Sequence, residues 1–121
     1  MLDDRTVSKA AVAQNYRLWS GRINRFAWAS YLGGADPDVA VPARRTDLTE
    51  LPPAWIGVGT ADLFYDEDVA DAERLNDAGV PCHLEVVEGA FHGFDRIGAR
   101  ARVSRAYFES QCEVLRSALT P

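Results

Sequence analysis

An aspartate and a histidine stand just past two successive apolar runs of this sequence, and together they could perform acid–base chemistry. Asp62 follows the run at 54–59, and His92 lies in a glycine-flanked loop after a second run at 82–87. Side chains that follow adjacent parallel strands meet at one edge of a sheet, where open α/β folds bind ligands. A carboxylate and an imidazole at that edge are two members of an acid–base–nucleophile triad.

The spacing of the two residues favours this interpretation. They are 30 positions apart, which fits one helical crossover between neighbouring strands. In that arrangement Asp62 would fix the tautomer of His92 and stabilise its charged form. Two ordinary alternatives stay open, a loop histidine that bonds to the backbone and a common turn aspartate. Asp66, Glu67 and Asp68 compete for the role of the acid, but they are better explained as first-turn charges of a following helix.

A nucleophile is missing from the same sequence. No serine and no cysteine occupies a recognisable nucleophile turn. The serines are Ser8, Ser20, Ser30, Ser104, Ser110 and Ser117, and the cysteines are Cys82 and Cys112. We therefore interpret the chain as the later part of an enzyme rather than a whole one.

The hydrophobic pattern predicts an α/β fold, in which a helical segment precedes a strand–helix–strand–helix unit. Helices are predicted over 6–19, 23–32, 66–78 and 99–119, strands over 54–59 and 82–87, and a loop over 35–53. Two strands joined by a helical crossover should be parallel. Because two parallel strands do not form a stable sheet alone, the pattern is a second sign that strands are missing. In the last helix one stripe is apolar, formed by Phe108, Cys112, Leu115 and Leu119.

Composition excludes several classes of function. The net charge of −5 and the pI of about 4.9 argue against a nucleic-acid binder, which normally needs a basic face. No signal peptide or membrane span is evident, so we expect a cytoplasmic protein. Cys82 and Cys112 lack the spacing of metal ligands and are expected to be free thiols, although a disulfide stays open. The run at 57–62 is not a dinucleotide fingerprint because Asp62 replaces its third glycine, and we expect no cofactor and no metal.

A series of short motifs occurs in a fixed order along the chain. They are Leu51-Pro52-Pro53, the run Trp55 to Gly59, Asp62, Asp66-Glu67, Ala78-Gly79-Val80 and His92-Gly93-Phe94. Upstream of them stand Leu2-Asp3-Asp4-Arg5, Trp19, Asn24, Trp28 and Tyr31-Leu32-Gly33. In this order and spacing the chain resembles, over nearly its whole length, the C-terminal part of the hormone-sensitive-lipase-like esterases, a branch of the α/β-hydrolases.

The resemblance implies the C-terminal portion of an α/β-hydrolase fold. Residues 1–121 would form one partial domain, with a helical segment at 1–34, a loop at 35–53 and a βαβα unit at 54–121. Asp62 would be the acid and His92 the base of a serine hydrolase. The resemblance also implies a serine in a Gly-x-Ser-x-Gly elbow and a glycine-rich oxyanion loop, both upstream. This sequence contains neither, so we expect the chain alone to be inactive.

The implied substrate is a carboxylic ester with a short or medium acyl chain. Phe91 and Phe94 could line its pocket, although aromatic residues beside a catalytic loop are as often simply packing. Three hypotheses stay open. In the first, a separate N-terminal portion completes the esterase. In the second, the chain is a non-catalytic remnant that self-associates through its exposed sheet edge. In the third, His92 and a carboxylate act without a serine, as a general-base hydrolase or a binding module.

Overall fold

Two parallel strands, with helices on both of their faces, organise the chain. The fold is described from a computed structural model over residues 1–6 and 18–120. The helices and strands are, in chain order, α1 (Gly21–Leu32), α2 (Pro37–Ala40), β1 (Ala54–Gly59), α3 (Tyr65–Asp77), β2 (Cys82–Val87), α4 (Phe94–Ile97) and α5 (Arg102–Leu119). Single 3₁₀ turns occur at Asp4–Thr6 and Pro42–Arg44.

Both predicted strands are confirmed with their predicted bounds. β1 and β2 pair in parallel, with Ala54 opposite Cys82 at one end and Gly59 opposite Val87 at the other. The register is without offset, so the two strands end side by side at the same edge of the sheet. The two loops that follow the strands therefore start next to each other.

Alternate residues of β1 pack on opposite faces of the sheet, as the period of a strand requires. Ala54 and Ile56 pack against a cluster of buried residues that contains Leu75 of α3. Trp55 instead packs against a second cluster, which contains Tyr107 of α5. The sheet is thus the middle layer between α3 and α5, which is the layering of an α/β fold.

The junction between α3 and β2 is fixed by a glycine and an asparagine. Gly79 has a φ of 78°, a left-handed conformation that ends the helix at little steric cost. The side chain of Asn76 then joins the last turn to the strand. Its Nδ2 donates to the carbonyl of Ala72 at 2.9 Å, and its Oδ1 accepts from the backbone N–H of Cys82 at 3.0 Å. The predicted helix at 66–78 is confirmed with a shift of one residue.

Ser20 begins a helix two residues earlier than the predicted start at Ile23. Its side chain accepts a hydrogen bond from the backbone N–H of Ile23, so it is the N-cap of α1, which starts at Gly21 rather than at Ile23. The predicted helix at 6–19 lies mostly outside the described residues. Of its two ends, Thr6 belongs to a 3₁₀ turn and Trp19 is not helical.

The prediction of a continuous loop over 35–53 is wrong in its first half. Asp36 accepts a hydrogen bond from the backbone N–H of Asp38 at 3.0 Å, and Pro37 fills the first helical position, so α2 forms one turn there. The 3₁₀ turn that follows is fastened by Arg44. Its guanidinium forms ion pairs with Asp4 at 2.7 Å and with Asp38 at 2.8 Å.

The last helix is shorter than predicted, and its apolar stripe faces outward. Gly98 ends the separate turn of α4, so α5 begins at Arg102 and not at Ala99. A sheet of two strands is too narrow to cover the whole helix, and Tyr107 is the buried apolar residue of α5. Phe108 is 63% exposed and Leu119 is 79% exposed. We call the exposed residues Phe108, Leu115 and Leu119 the outer stripe of α5.

Glu67 fastens the first residues of the chain to α3. Its buried carboxylate accepts hydrogen bonds from the backbone N–H of Leu2, at 2.7 Å, and from the hydroxyl of Thr6. The α-amino group of Met1 lies 3.6 Å from the same carboxylate. Glu67 was interpreted as a charge that favours the helix dipole, and its contacts show a larger structural role. Across residues 1–6 and 18–120, no helix has both the length and the apolar character that crossing a membrane demands.

Two leucine substitutions test the division between core and outer stripe. Leu75→Ala should lower the free energy of unfolding by about 2–4 kcal/mol, because it opens a cavity between α3 and the sheet. Leu119→Ala removes the same atoms from an exposed position and should change stability by less than about 0.5 kcal/mol. Urea denaturation followed by circular dichroism measures both values. A similar loss in the two variants would mean that the outer stripe is covered in solution.

Candidate active site

Asp62 is held in a tight turn at the end of β1. Its backbone N–H donates to the carbonyl of Gly59 at 3.0 Å. Its Oδ1 accepts from the backbone N–H of Phe64, also at 3.0 Å, which leaves Oδ2 free to face the neighbouring loop. The side chain is only 10% exposed. A carboxylate fixed in this way has one oxygen with a set direction for a second partner.

That partner is His92. The loop after β2 brings its Nδ1 to 3.0 Å from Oδ2 of Asp62, so the contact expected from the sequence is present. The imidazole is more open than the carboxylate, with 35% of its side chain exposed. A ring whose Nδ1–H donates a hydrogen bond to a carboxylate keeps the lone pair of Nε2 available as a base. The pair therefore has the geometry of an acid that orients a base.

Three hydrogen bonds between the two loops hold this separation. The backbone N–H of Thr60 donates to the carbonyl of Val87 at 3.1 Å, and that of Ala61 donates to the carbonyl of Ala90 at 3.0 Å. In the other direction, the backbone N–H of Gly89 donates to the hydroxyl of Thr60 at 2.8 Å. The local sequence does not indicate this role for Thr60, because a threonine after a strand is common and its partner lies in a distant part of the sequence.

Gly59 lets the two loops approach this closely. A Cβ at this position would lie 2.1 Å from the carbonyl oxygen of Ala90, a distance at which backbone would have to move. The requirement is for space and not for an unusual φ, since Gly59 is part of β1. Gly59 is therefore a spacing residue for the Asp62–His92 pair.

Two aromatic rings flank the imidazole. Trp19 and Phe64 each have a ring centre 5.3 Å from that of His92, with interplanar angles of 47° and 78°. The two rings also contact each other, at a distance of 6.0 Å between their centres. We call Trp19 and Phe64 the aromatic clamp. Trp19 is part of the spacing that resembles the esterase family, but nothing in its local sequence indicates a contact with His92.

A cavity of about 290 Å³ opens beside the pair. Asp62, His92 and Phe94 line it, together with the end of β1 and Tyr107 of α5. Phe94 is also buried, with its ring centre 5.1 Å from that of Tyr107. Phe91 packs partly buried against the same cluster. Both phenylalanines thus have packing roles, and a contact with substrate remains a prediction for them.

The described residues give His92 no nucleophile. Across 1–6 and 18–120, no serine or cysteine side chain forms a hydrogen bond with it. Ser104 donates to the carbonyl of Phe94, and Ser110 donates to Glu85. In the same part of the chain, no group of three His, Cys, Asp or Glu side chains is arranged to hold a metal ion. The other histidine, His83, is exposed on β2 and lies outside this site.

Asp68, on the helix that follows Asp62, has a carboxyl with a raised pKa. Burial raises its pKa to about 7, and the negative charges of Glu67, Asp62 and Asp71 act in the same direction. The α-amino group of Met1 opposes this shift without cancelling it. Asp68 therefore exchanges its proton near neutral pH, on the helix that follows Asp62.

The sequence profile of the alpha/beta hydrolase fold matches residues 1–96. The chain belongs to this family. Its relatives are hormone-sensitive-lipase-like esterases, as the resemblance implied. Over 74 residues it is 38% identical to the hormone-sensitive lipase of Mus musculus; the match takes in 61% of this chain and 10% of that protein.

Solved structures of esterases match the whole chain of this alpha/beta hydrolase. Esterase LipW from Mycobacterium marinum superposes with a TM-score of 0.91 and is 34% identical, with 100% of this chain and 39% of that chain covered. A bacterial heroin esterase superposes with a TM-score of 0.85, also at 34% identity, with 100% and 41% covered. The chain thus spans about two fifths of the solved esterases, and about a tenth of the mouse lipase, that it matches.

Substitution of Asp68 tests its raised pKa. Because the folded state binds this proton more tightly than the unfolded chain does, the stabilisation from Asp68 is complete below about pH 4. It is lost as the pH rises to about 7. Asp68→Asn should therefore match the parent at pH 4 and be more stable at pH 8 by about 1–2 kcal/mol, a value reduced for solvent screening of the carboxyl. Urea denaturation across this pH range measures the difference between the two chains.

Glu73→Gln is the matched control for this measurement. It removes one carboxylate from an exposed position in the middle of the same helix. Its stability difference from the parent should stay nearly constant between pH 5 and pH 8. If the stability difference for Asp68→Asn is equally independent of pH, the pKa of Asp68 is not raised.

Proposed function

We propose that Asp62 and His92 are the acid and the base of a serine–histidine–aspartate triad in a carboxylic ester hydrolase. The observation that carries the proposal is the 3.0 Å contact between Oδ2 of Asp62 and Nδ1 of His92. It joins the loops after two adjacent parallel strands in a member of the alpha/beta hydrolase family. An acid and a base that follow the nucleophile in this chain order are typical of that fold.

Each residue has a defined part in the proposed reaction. Nε2 of His92 takes the proton of the serine as the serine attacks the ester carbonyl, and then gives it to the leaving alcohol. A water molecule repeats the cycle on the acyl-enzyme. Asp62 keeps the Nδ1 proton in place and stabilises the imidazolium that forms in each half of the cycle. Oδ2 is suited to this role because the backbone N–H of Phe64 already holds the other oxygen.

The serine and the oxyanion donors are proposed to come from another portion of the hydrolase fold. The sequence contains no Gly-x-Ser-x-Gly elbow, and the chain covers only 39% of the LipW chain that it matches. We infer that the chain alone does not hydrolyse esters. The cavity of about 290 Å³ next to Asp62 and His92 is the space that the missing serine loop and the substrate would share.

The proposed substrates are carboxylic esters with short or medium acyl groups. The solved structures that match the whole chain are esterases by name, and one is a heroin esterase. The cavity beside Asp62 and His92 is where the acyl group would bind. Phe94 lines this space, so it remains the better candidate of the two phenylalanines for contact with substrate.

One observation favours a second candidate, a non-catalytic chain that self-associates. The outer stripe of α5 exposes large apolar side chains, and unpaired strand edges promote pairing between copies. Light scattering on the purified chain separates the two candidates. A stable dimer that shows no esterase activity, either alone or joined to the remaining part of an esterase, would favour this second function.

A chimera provides the direct test of the first candidate. This chain would replace the matching part of LipW, which keeps its own remaining residues, and hydrolysis of a short-chain p-nitrophenyl ester would be followed. The chimera should be active, whereas the isolated chain should show no hydrolysis. In the chimera, His92→Ala and Asp62→Asn should lower kcat by on the order of 10³-fold or more, because each removes a triad member.

His83→Ala serves as the matched control in the same chimera. It removes the other histidine, which is exposed on β2, and should leave kcat within about twofold of the parent chimera, because surface substitutions rarely matter. A folded, active chimera that is insensitive to His92→Ala would refute the proposed role of the pair. Activity of the isolated chain that disappears in His92→Ala would instead refute the proposed need for an external serine.

A further inference from the structure

Trp19 reaches the proposed base from a remote part of the sequence. Its indole ring centre lies 5.3 Å from the imidazole centre of His92, which is the more exposed member of the Asp62–His92 pair. Phe64 meets the same imidazole edge-on. The imidazole is therefore in contact with the aromatic clamp as well as with the carboxylate.

Asn24 fixes the position of the indole. Nε1 of Trp19 donates a hydrogen bond to Oδ1 of Asn24 at 3.1 Å. Asn24 has no solvent exposure and belongs to the first turn of α1, where its backbone N–H donates to the carbonyl of Ser20 at 2.9 Å. A buried acceptor on a helix cannot follow the indole if the ring moves. The hydrogen bond therefore gives Trp19 one preferred placement.

The backbone before Trp19 is also constrained. Leu18 has a φ of 67°, in the left-handed region that a leucine rarely adopts. Its Cδ1 lies 3.8 Å from the point that a Cβ on Gly93 would occupy, so Leu18 and Trp19 together lie over the loop that carries His92. Unfavourable backbone conformations of this kind persist where the surrounding contacts determine them.

We propose that Trp19, held by Asn24, is a positioning residue that keeps the imidazole of His92 directed at Asp62. The proposal rests on the proposed function, because it concerns the same base. It adds a residue pair from outside the strand–helix–strand unit to the acid–base machinery. Trp19 touches neither the reacting atoms nor Asp62 in this account, and it acts through His92.

Two physical effects give Trp19 this role. Packing of an indole on one side and of Phe64 on another restricts rotation of the imidazole about its Cβ–Cγ bond, so Nδ1 stays within reach of Oδ2. In addition, the face of an indole attracts a cation within about 6 Å of its centre, and the imidazolium formed during acyl transfer is such a cation. Tryptophan provides the strongest attraction of this kind among the aromatic residues.

The tautomer of His92 in the isolated chain provides the test, because its measurement requires no catalytic activity. Nitrogen-15 NMR of the neutral imidazole, recorded at alkaline pH, reports the ratio of the Nδ1–H to the Nε2–H form. In the parent chain His92 should favour Nδ1–H, while the exposed His83 gives the ratio of an unconstrained histidine in the same spectrum. The variant His83→Gln assigns the two signals.

Trp19→Ala should move the His92 ratio towards that of His83, by about threefold to tenfold, because the ring gains freedom to leave Asp62. Trp19→Phe keeps an aromatic ring and should restore part of the preference. Asn24→Ala should shift the ratio in the same direction as Trp19→Phe. In the double variant, Asn24→Ala should change the His92 ratio by less than it does alone, because Trp19→Phe has already removed the indole N–H that Asn24 accepts.

Trp28→Phe is the matched control for a general loss of packing. Trp28 is a buried tryptophan of α1 whose ring packs on Tyr31, so its replacement should leave the His92 ratio unchanged. Circular dichroism confirms that each variant is folded. Since Trp19 is only partly buried, its variants provide the test even if Asn24→Ala does not fold.

The outcomes separate this inference from the proposed function. A parent chain in which His92 and His83 have the same ratio would overturn both, because His92 would then not be oriented by Asp62. A parent that prefers Nδ1–H, with no change in folded Trp19→Ala, would overturn the role of Trp19 alone. An equal change in Trp28→Phe would also overturn it, since the effect would then reflect packing in general.

Discussion

The close contact between Gly59 and Ala90 is the constraint on which the site depends. Parallel pairing without offset places the ends of β1 and β2 side by side, but it sets the positions of the loops only roughly. A side chain at Gly59 would meet the carbonyl of Ala90, so the absence of one allows the loops to touch. The hydrogen bond from Ala61 to that same carbonyl then fixes their separation. The 3.0 Å distance between Asp62 and His92 follows from this backbone arrangement.

Much of this arrangement could be predicted from the sequence, because its signals are local. Pro53 and Gly59 enclose the apolar run of β1, and Pro81 precedes that of β2, so both strands were predicted with their bounds. The helix between them requires parallel pairing. That topology brings the residues after the two strands to the same edge of the sheet, and the close approach of Gly59 to Ala90 then sets the distance between Asp62 and His92.

The parts that the sequence did not indicate depend on contacts between distant segments. Glu67 has the pattern of a helix-dipole charge, yet its carboxylate holds the first residues of the chain. The place of Trp19 in the family spacing does not indicate its contact with His92, which depends on the buried amide of Asn24. Short turns such as α2 were missed because their single caps resemble ordinary loop residues. Glu67 and Trp19 thus contact residues far away in the sequence, whereas the bond that caps α2 is local and has no distinctive pattern.

The outer stripe of α5 connects stability with the proposed chemistry. The stripe was recognised as apolar from its spacing, but a helix can bury only the face that a sheet is wide enough to cover. Tyr107 belongs to a cluster that packs against Trp55 and Val87 of the two strands, whereas the neighbouring Phe108 remains 63% exposed. Phe108 lines a second cavity, of about 610 Å³, which shares Asp95, Arg96 and Gln111 with the cavity at His92.

In the proposed function, further strands would pair with an open edge of this sheet, and they would carry the serine loop with them. The same structural addition would then cover apolar surface on α5 and fill the space next to Nε2 of His92. Burial of that surface provides a hydrophobic driving force for the addition, while the acid–base pair gives it a catalytic consequence. Completion of the sheet and completion of the active site are, on this view, one event, and the Asp62–His92 pair is already formed before it occurs.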